Sequence, residues 1–412
     1  MKGLGALDPR AAPLPHGTEV ITGVDRVAGE RTVPQGTIGR VVGLPEEGLL
    51  DVHVVGVGTL RYRREDLTLR KAGQARYATR RADTYEALMP CRVLETVVGS
   101  QAWGLADERS DTDLRGAFAL PFSWTTGLAD PPQDLVREDG SATYWEVGKA
   151  IRQALRADPN TLEMLFVPGV KALDPIGAWI LEAREAFVSK EIHGTFARYA
   201  VAQLRRLEQS QRLARHRADV LEWLREGEPT LDEVAARLAD RSPRAAPTRA
   251  DGILAAKEYI KQLYRSLHDQ GLVEAKSFEA LGRFARGPAA TLELPRELRP
   301  KNAYNLLRLV WTASEWLRTG TPTFAPGPPL RDRLLAIKRG EVALEEVLTE
   351  AEAMTVTLAE ALQESALPAH PDVERADALL RRIRGELARR GLDAVEGPFG
   401  RDAPAAPVAA WE

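Results

Sequence analysis

Four residues define the chemistry open to this sequence: Gly99, Ser100, Asp111 and Asp113. They lie in VVGSQAWGLADERSDTDLRGAF, where a Gly-Ser turn precedes an Asp-x-Asp pair by about ten residues. Residues i and i+2 of a strand share a face, so the two carboxylates project together. Anions held that close repel unless a cation separates them. Magnesium takes oxygen ligands and commonly combines one or two carboxylates with substrate phosphates. Glycine lets the backbone approach phosphate oxygens closely, and the free N–H groups of a following helix favour an anion. The Ser100 hydroxyl is then placed to donate to a terminal phosphate oxygen. The combination fits a metal-bound nucleoside triphosphate, whereas either half alone would read as an ordinary turn.

A two-metal site needs a third carboxylate: one ion activates the attacking hydroxyl while the other steadies the leaving pyrophosphate. Glu146, in ATYWEVG, is the expected third acid, in a short apolar run able to pair as a third strand. Glu163 competes for the role, but it sits in NTLEMLF, where capping or packing is the expectation. Trp103 would line the nucleotide pocket or pack. Arg115 would pair with a carboxylate or approach phosphate. Six histidines show no metal spacing, and His193 reads as structural. Cys91, the one cysteine, excludes an internal disulfide and a cysteine-based zinc site; it reads as buried rather than nucleophilic.

Positioning these groups requires a strand over RVLETVV and a second over LRGAFAL. Residues 121–142 read as a loop rich in Pro, Gly and Asp. A strand or helix start at Thr143 then gives way to a helix ending near Leu155, and Asp158-Pro159-Asn160 opens another. Beyond Pro175 apolar residues recur at helical spacing, interrupted by a break over 241–250. Upstream, residues 14–71 show period-two alternation with glycine turns, suggesting a small SH3-like barrel.

The chain has 412 residues, a hydrophobic fraction of 44% and a formal net charge of -3. That length accommodates two or three domains. The balance excludes a polycation, so nucleic-acid contact would need local basic faces. Residues 251–340 carry fifteen Lys plus Arg against nine Asp plus Glu, a surplus of six. Arginines 205, 206, 212, 215 and 217 form a second cluster; 381, 382, 384, 389 and 390 form a third. Each is equally consistent with a solvated amphipathic face. With no signal pattern and no long apolar run, a cytoplasmic, non-membrane location is expected.

The Gly-Ser and Asp-x-Asp pattern resembles the polymerase-β nucleotidyltransferase superfamily. More narrowly, that stretch, with YWEVGKAIRQALRADPNTLEMLF, KEIHGTFARYAVAQLRRLE, KNAYNLLRLVWTASEWLRTG and LLAIKRGE, is similar to the RNA-repair-pathway nucleotidyltransferases encoded beside RNA ligases. The resemblance spans roughly residues 90–350. It implies a catalytic domain with a mixed sheet over 76–175 and a helical substrate domain over 176–400; with the SH3-like module over 1–75, which lies outside the resemblance, and a tail over 401–412 expected to be disordered, the chain is expected to be a multidomain α/β plus α protein. The resemblance implies that Gly99 and Ser100 grip the triphosphate of an NTP such as ATP. Asp111, Asp113 and Glu146 would hold two Mg2+ ions, with Mn2+ as an alternative. Lys301, Asn302, Asn305 and Arg308 fall on one helical face as further nucleotide-binding candidates; Asn305 stands where family members are expected to carry histidine. The expected acceptor is an RNA end, with an RNA ligase as pathway partner. A small-molecule or protein acceptor, or a non-catalytic RNA-binding module, are the alternatives.

Overall fold

A computed structural model describes residues 12–28, 31–55, 57–70, 81–108, 110–127, 131–241, 248–269, 272–287, 300–393 and 395–406. The first strands are β1 (Glu19–Thr22), β2 (Arg26–Ala28), β3 (Arg31–Val33), β4 (Ile38–Glu46), β5 (Leu49–Val54), β6 (Gly58–Arg63) and β7 (Leu67–Leu69). Five of them form an antiparallel sheet in the order β6-β5-β4-β1-β7. Alternation along β5 buries Leu50, Val52 and Val54 with Val20, Val41, Tyr62 and Leu67. The expected barrel is not closed: among the described residues β6 and β7 end the sheet, each paired on one side only.

The second sheet follows α1, described over 81–88. It contains β8 (Arg92–Val98), β9 (Asp113–Phe118), β10 (Asp134–Val136), β11 (Ala142–Glu146) and β12 (Lys171–Ala172), in the order β10-β11-β9-β8-β12. β8 and β9 are antiparallel, with Val98 opposite Asp113. β11 runs parallel to β9, making the sheet mixed as expected. The stretch read as a loop contains a short helix, α3 (Phe122–Thr125), and β10, a three-residue edge strand. The tight turn α2 (Gly99–Ala102) leaves β8; α4 (Val147–Leu155) and α5 (Pro159–Phe166) follow β11. Asp158 caps α5 by accepting from the Thr161 N–H at 2.9 Å.

The helices continue as α6 (Pro175–Glu182), α7 (Glu191–Glu226), α8 (Leu231–Arg241), α9 (Arg249–Asp269) and α10 (Phe278–Arg286). The last four are α11 (Pro300–Thr319), α12 (Pro328–Arg339), α13 (Leu344–Glu364) and α14 (Val373–Leu392). The central residues of the break before α9, 242–247, lie outside the described residues. No described helix is long and apolar enough to cross a membrane. The chain divides into two compact units: Met1–Arg76 with Arg206–Arg299, and Tyr77–Arg205 with Pro300–Glu412. The helical region read as one domain over 176–400 is thus shared between the units. In the first, α8, α9 and α10 bury Val234, Leu238, Ile260 and Leu281 in one cluster. In the second, α11 packs on α12 and α13, and α14 packs on α4 and α6.

The segment beyond α14 is packed as far as it is described: Trp124 Nε1 donates to the Pro404 carbonyl at 2.7 Å. Residues 407–412 of the expected disordered tail lie outside the described residues. Cys91 is fully buried beside the same segment, its thiol 3.5 Å from the Pro398 carbonyl. Burial pushes that thiol up to about 12, so almost no thiolate exists near neutrality. Native protein at pH 8 is expected to leave Cys91 unmodified by a disulfide exchange reagent, with full labelling after denaturation. Rapid stoichiometric labelling of native protein would contradict that placement.

Candidate active site

The antiparallel register brings the two halves of the motif together. Val98 pairs with Asp113, so the Gly-Ser turn leaves β8 where Asp113 opens β9; Asp111, expected on the same strand, lies in the loop just before it. Gly99 has φ +68°, a left-handed conformation that disfavours a side chain. A Cβ there would lie 3.1 Å from Asp113 Oδ2, so backbone and carboxylate are in direct apposition. Gly99, Ser100, Asp111 and Asp113 line one cleft of about 740 Å³. Asn305 and Arg308 of α11 line it too, as do Lys338 and Arg339 of α12. Lys301 lies on α11, but its side chain is outside the described residues.

Glu146 is not brought to the aspartates. Because β11 is parallel to β9, its first residue, Ala142, pairs with Leu114, while Glu146 pairs with Phe118 at the far end. Four residues of strand separate those levels by about 13 Å. Thr143, not an acid, stands beside Arg115. Run the other way over the same residues, β11 would have put Glu146 opposite Leu114, the residue after Asp113; the direction of pairing is what the sequence left open. Glu146 instead caps α4, accepting from Gly148 N–H at 2.8 Å and Lys149 N–H at 3.2 Å. It also accepts from Arg384 of α14 and is only 1% exposed. Among the described residues no group of three or more Asp, Glu, His or Cys side chains is arranged to hold a metal ion. The expected triad of Asp111, Asp113 and Glu146 is therefore not formed.

Glu163 occupies the ground beside the turn. Its Oε1 accepts from Gly99 N–H at 3.1 Å and Trp103 Nε1–H at 2.7 Å, with Arg308 Nη1 3.4 Å away. The packing role read from the sequence holds, with the addition that what it packs is the Gly-Ser turn. Trp103 is buried, edge-on to Phe324 at 5.3 Å, and the Arg308 guanidinium lies 4.5 Å above its ring. Arg115 lines the cleft and donates to the Leu114 carbonyl at 2.9 Å. His193 lies two residues into α7, and burial lowers its pKa.

The residues missed in the sequence come from α12. Lys338 Nζ donates to the Leu105 carbonyl at 3.0 Å and Ser110 Oγ at 2.8 Å, and lies 3.2 Å from Asp107 Oδ2. Arg331 Nε donates to the Gly104 carbonyl at 3.2 Å. Together they fasten the loop that delivers Asp111. The stretch LLAIKRGE contains Lys338 and Arg339, but helical spacing gave them no role. The third arginine cluster is largely engaged elsewhere: Arg381 pairs with Asp377, Arg384 with Glu146, Arg389 with Glu386, and Arg390 with Asp174 and Glu386. The side chains of Arg205 and Arg206 lie outside the described residues.

Residues 80–227 match the RlaP family. Its description is RNA repair pathway DNA polymerase beta family, in agreement with the resemblance read from the sequence. The RlaP match takes in the whole second sheet with the Gly-Ser and Asp-x-Asp motifs; α11 and α12 lie outside it. No curated protein and no solved structure matches the chain.

Two substitutions separate the turn from the cap. Gly99→Ala is expected to cost about 1–2 kcal/mol, from the left-handed backbone alone, read as a lower denaturation midpoint; an unchanged midpoint would contradict the strained turn. Glu146→Ala removes the α4 cap and the buried partner of a half-exposed arginine, for an expected loss of about 1–2 kcal/mol, mostly from the cap. Glu146→Gln, which keeps an acceptor for the α4 amides, is expected to lose less in the same unfolding measurement.

Proposed function

We propose that the cleft catalyses nucleotidyl transfer: a nucleoside monophosphate passes from an NTP to an acceptor hydroxyl, and pyrophosphate leaves. The observation that supports this reading is the apposition of the left-handed Gly99 turn and the Asp113 carboxylate at paired strand ends. Asp111 and Asp113 would hold a divalent cation, Mg2+ or Mn2+. Two carboxylates suit such an ion when phosphate oxygens and water complete its shell. When bound, the ion supplies charge neutralisation on the polyphosphate and acidifies the attacking hydroxyl. A second ion would draw on the same two aspartates and the substrate, since Glu146 is committed to α4 and Arg384.

The chain's own residues divide the remaining work. Ser100 offers a hydroxyl to a terminal phosphate oxygen. Arg308, Lys338 and Arg339 offset polyphosphate charge along the opposite wall, and Asn305 adds an amide able to hydrogen-bond. Glu163 keeps the turn and Arg308 in register. An RNA end is the acceptor favoured by the RlaP description. An RNA ligase is the pathway partner suggested by the sequence resemblance, with the N-terminal sheet as an accessory docking or RNA-contacting module.

The test incubates the protein with each labelled NTP, Mg2+ or Mn2+, and nicked and single-stranded RNAs. Metal-dependent labelling of RNA is expected, with Asp111→Asn and Asp113→Asn each reducing it about a hundredfold or more, the scale of losing a principal electrostatic stabiliser. Label on protein or on a small hydroxyl compound would replace RNA as the acceptor. Labelling that survives both substitutions would overturn the site.

A further inference from the structure

Two residues that line the cleft each carry a buried polar atom with no hydrogen-bond partner among the described residues: the Tyr304 hydroxyl and Arg308 Nε. The two residues lie one helical turn apart on α11. Tyr304 is only 2% exposed. Burial is also the main reason its phenol is raised above its ordinary value, which leaves it a protonated donor at neutral pH. The Arg308 side chain is 14% exposed. Its Nη1 is held by Glu163 and its guanidinium lies over Trp103, so the group is fixed while Nε is left over.

Buried donors without acceptors are rare in folded proteins and destabilise them. Two of them on adjacent turns, carried by residues that line one cleft with Lys338 and Arg339, call for an acceptor that is anionic and rich in oxygen. We infer that Tyr304 and Arg308 Nε form a phosphoryl-oxygen subsite, with the Tyr304 hydroxyl as a binding group that neither motif nor family match marks. This deepens the reading of the cleft as a polyphosphate site and rests on it. The carboxylates Asp107, Glu108, Asp111 and Asp113 line the rest of the same cleft. An oxyanion therefore has its donors on α11 and α12, and its counter-ion position at the aspartates.

Tyr304→Phe deletes the hydroxyl and nothing else, which makes the test sharp. Binding of inorganic tripolyphosphate with Mg2+ is measured by calorimetry for the full-length wild type and variant, alongside the ligand-free melting temperature. The expected result is affinity about tenfold weaker, the scale of one hydrogen bond to a charged group, with a ligand-free melting temperature no lower than wild type. The second half is diagnostic: a hydroxyl already satisfied inside the protein would cost stability when removed. A 5′-phosphorylated RNA oligomer is titrated in parallel. A defect confined to tripolyphosphate assigns the subsite to the nucleotide, and one confined to the oligomer assigns it to the acceptor phosphate. Equal affinity of variant and wild type for both ligands overturns the inference while leaving nucleotidyl transfer standing. A markedly lower ligand-free melting temperature overturns it too. Failure of wild type to bind either ligand removes the polyphosphate reading and the subsite with it.

Discussion

Pairing of β8 with β9, Val98 against Asp113, fixes where the Gly-Ser turn and the Asp113 carboxylate meet, and the rest of the cleft is built around that point. An antiparallel ladder with this register ends one strand at a glycine and starts the next at a carboxylate, on the same edge of the sheet. The closeness is tolerated because residue 99 has no Cβ, and because its N–H is turned away toward Glu163. A shift of one residue would send Asp113 to the opposite face. The remaining sheet neighbours, the parallel β11 and the short edge strand β10, support this pair without adding an acid beside it.

Charge in the cleft is divided by element. The sheet and its loop supply carboxylates; α11 and α12 supply cations. Each side is steadied by a group of the opposite sign. Glu163, from the sheet side, holds Arg308, while Lys338, from α12, holds the loop through Leu105 and Ser110. Such cross-bracing pairs opposite charges from different elements and holds the loop and the helices in fixed positions. The cations engaged with Glu146 and Asp174 are of another kind. They fasten α14 to the rest of its unit and are spent on architecture.

The strands around Gly99 and Asp113 were legible because their signals are local: alternation, a glycine turn and paired acids at short spacing. The Asp158 cap of α5 was legible for the same reason. Glu146 was misread because its place depends on the direction in which β11 runs, which no property of ATYWE reveals. Glu163 looked like a helix residue and is one, yet its carboxylate reaches sideways to a backbone amide 64 positions earlier in the chain. Lys338 and Tyr304 were harder still, since both depend on which face of a distant helix returns to the sheet. The N-terminal alternation correctly gave antiparallel strands, but closure into a barrel is a property of the two end strands, and β7 has only three residues.

The walls of the cleft are far apart along the polypeptide. One is finished by Glu163; the other does not begin until α11, and Arg206–Arg299, between them, fold with the other unit. Synthesis from the N-terminus therefore completes the entire RlaP-matching stretch well before Arg308 or Lys338 exists. Until then the aspartates have no basic wall opposite them. No described residue of that intervening segment lines the cleft, so its helices can vary without changing which residues meet there.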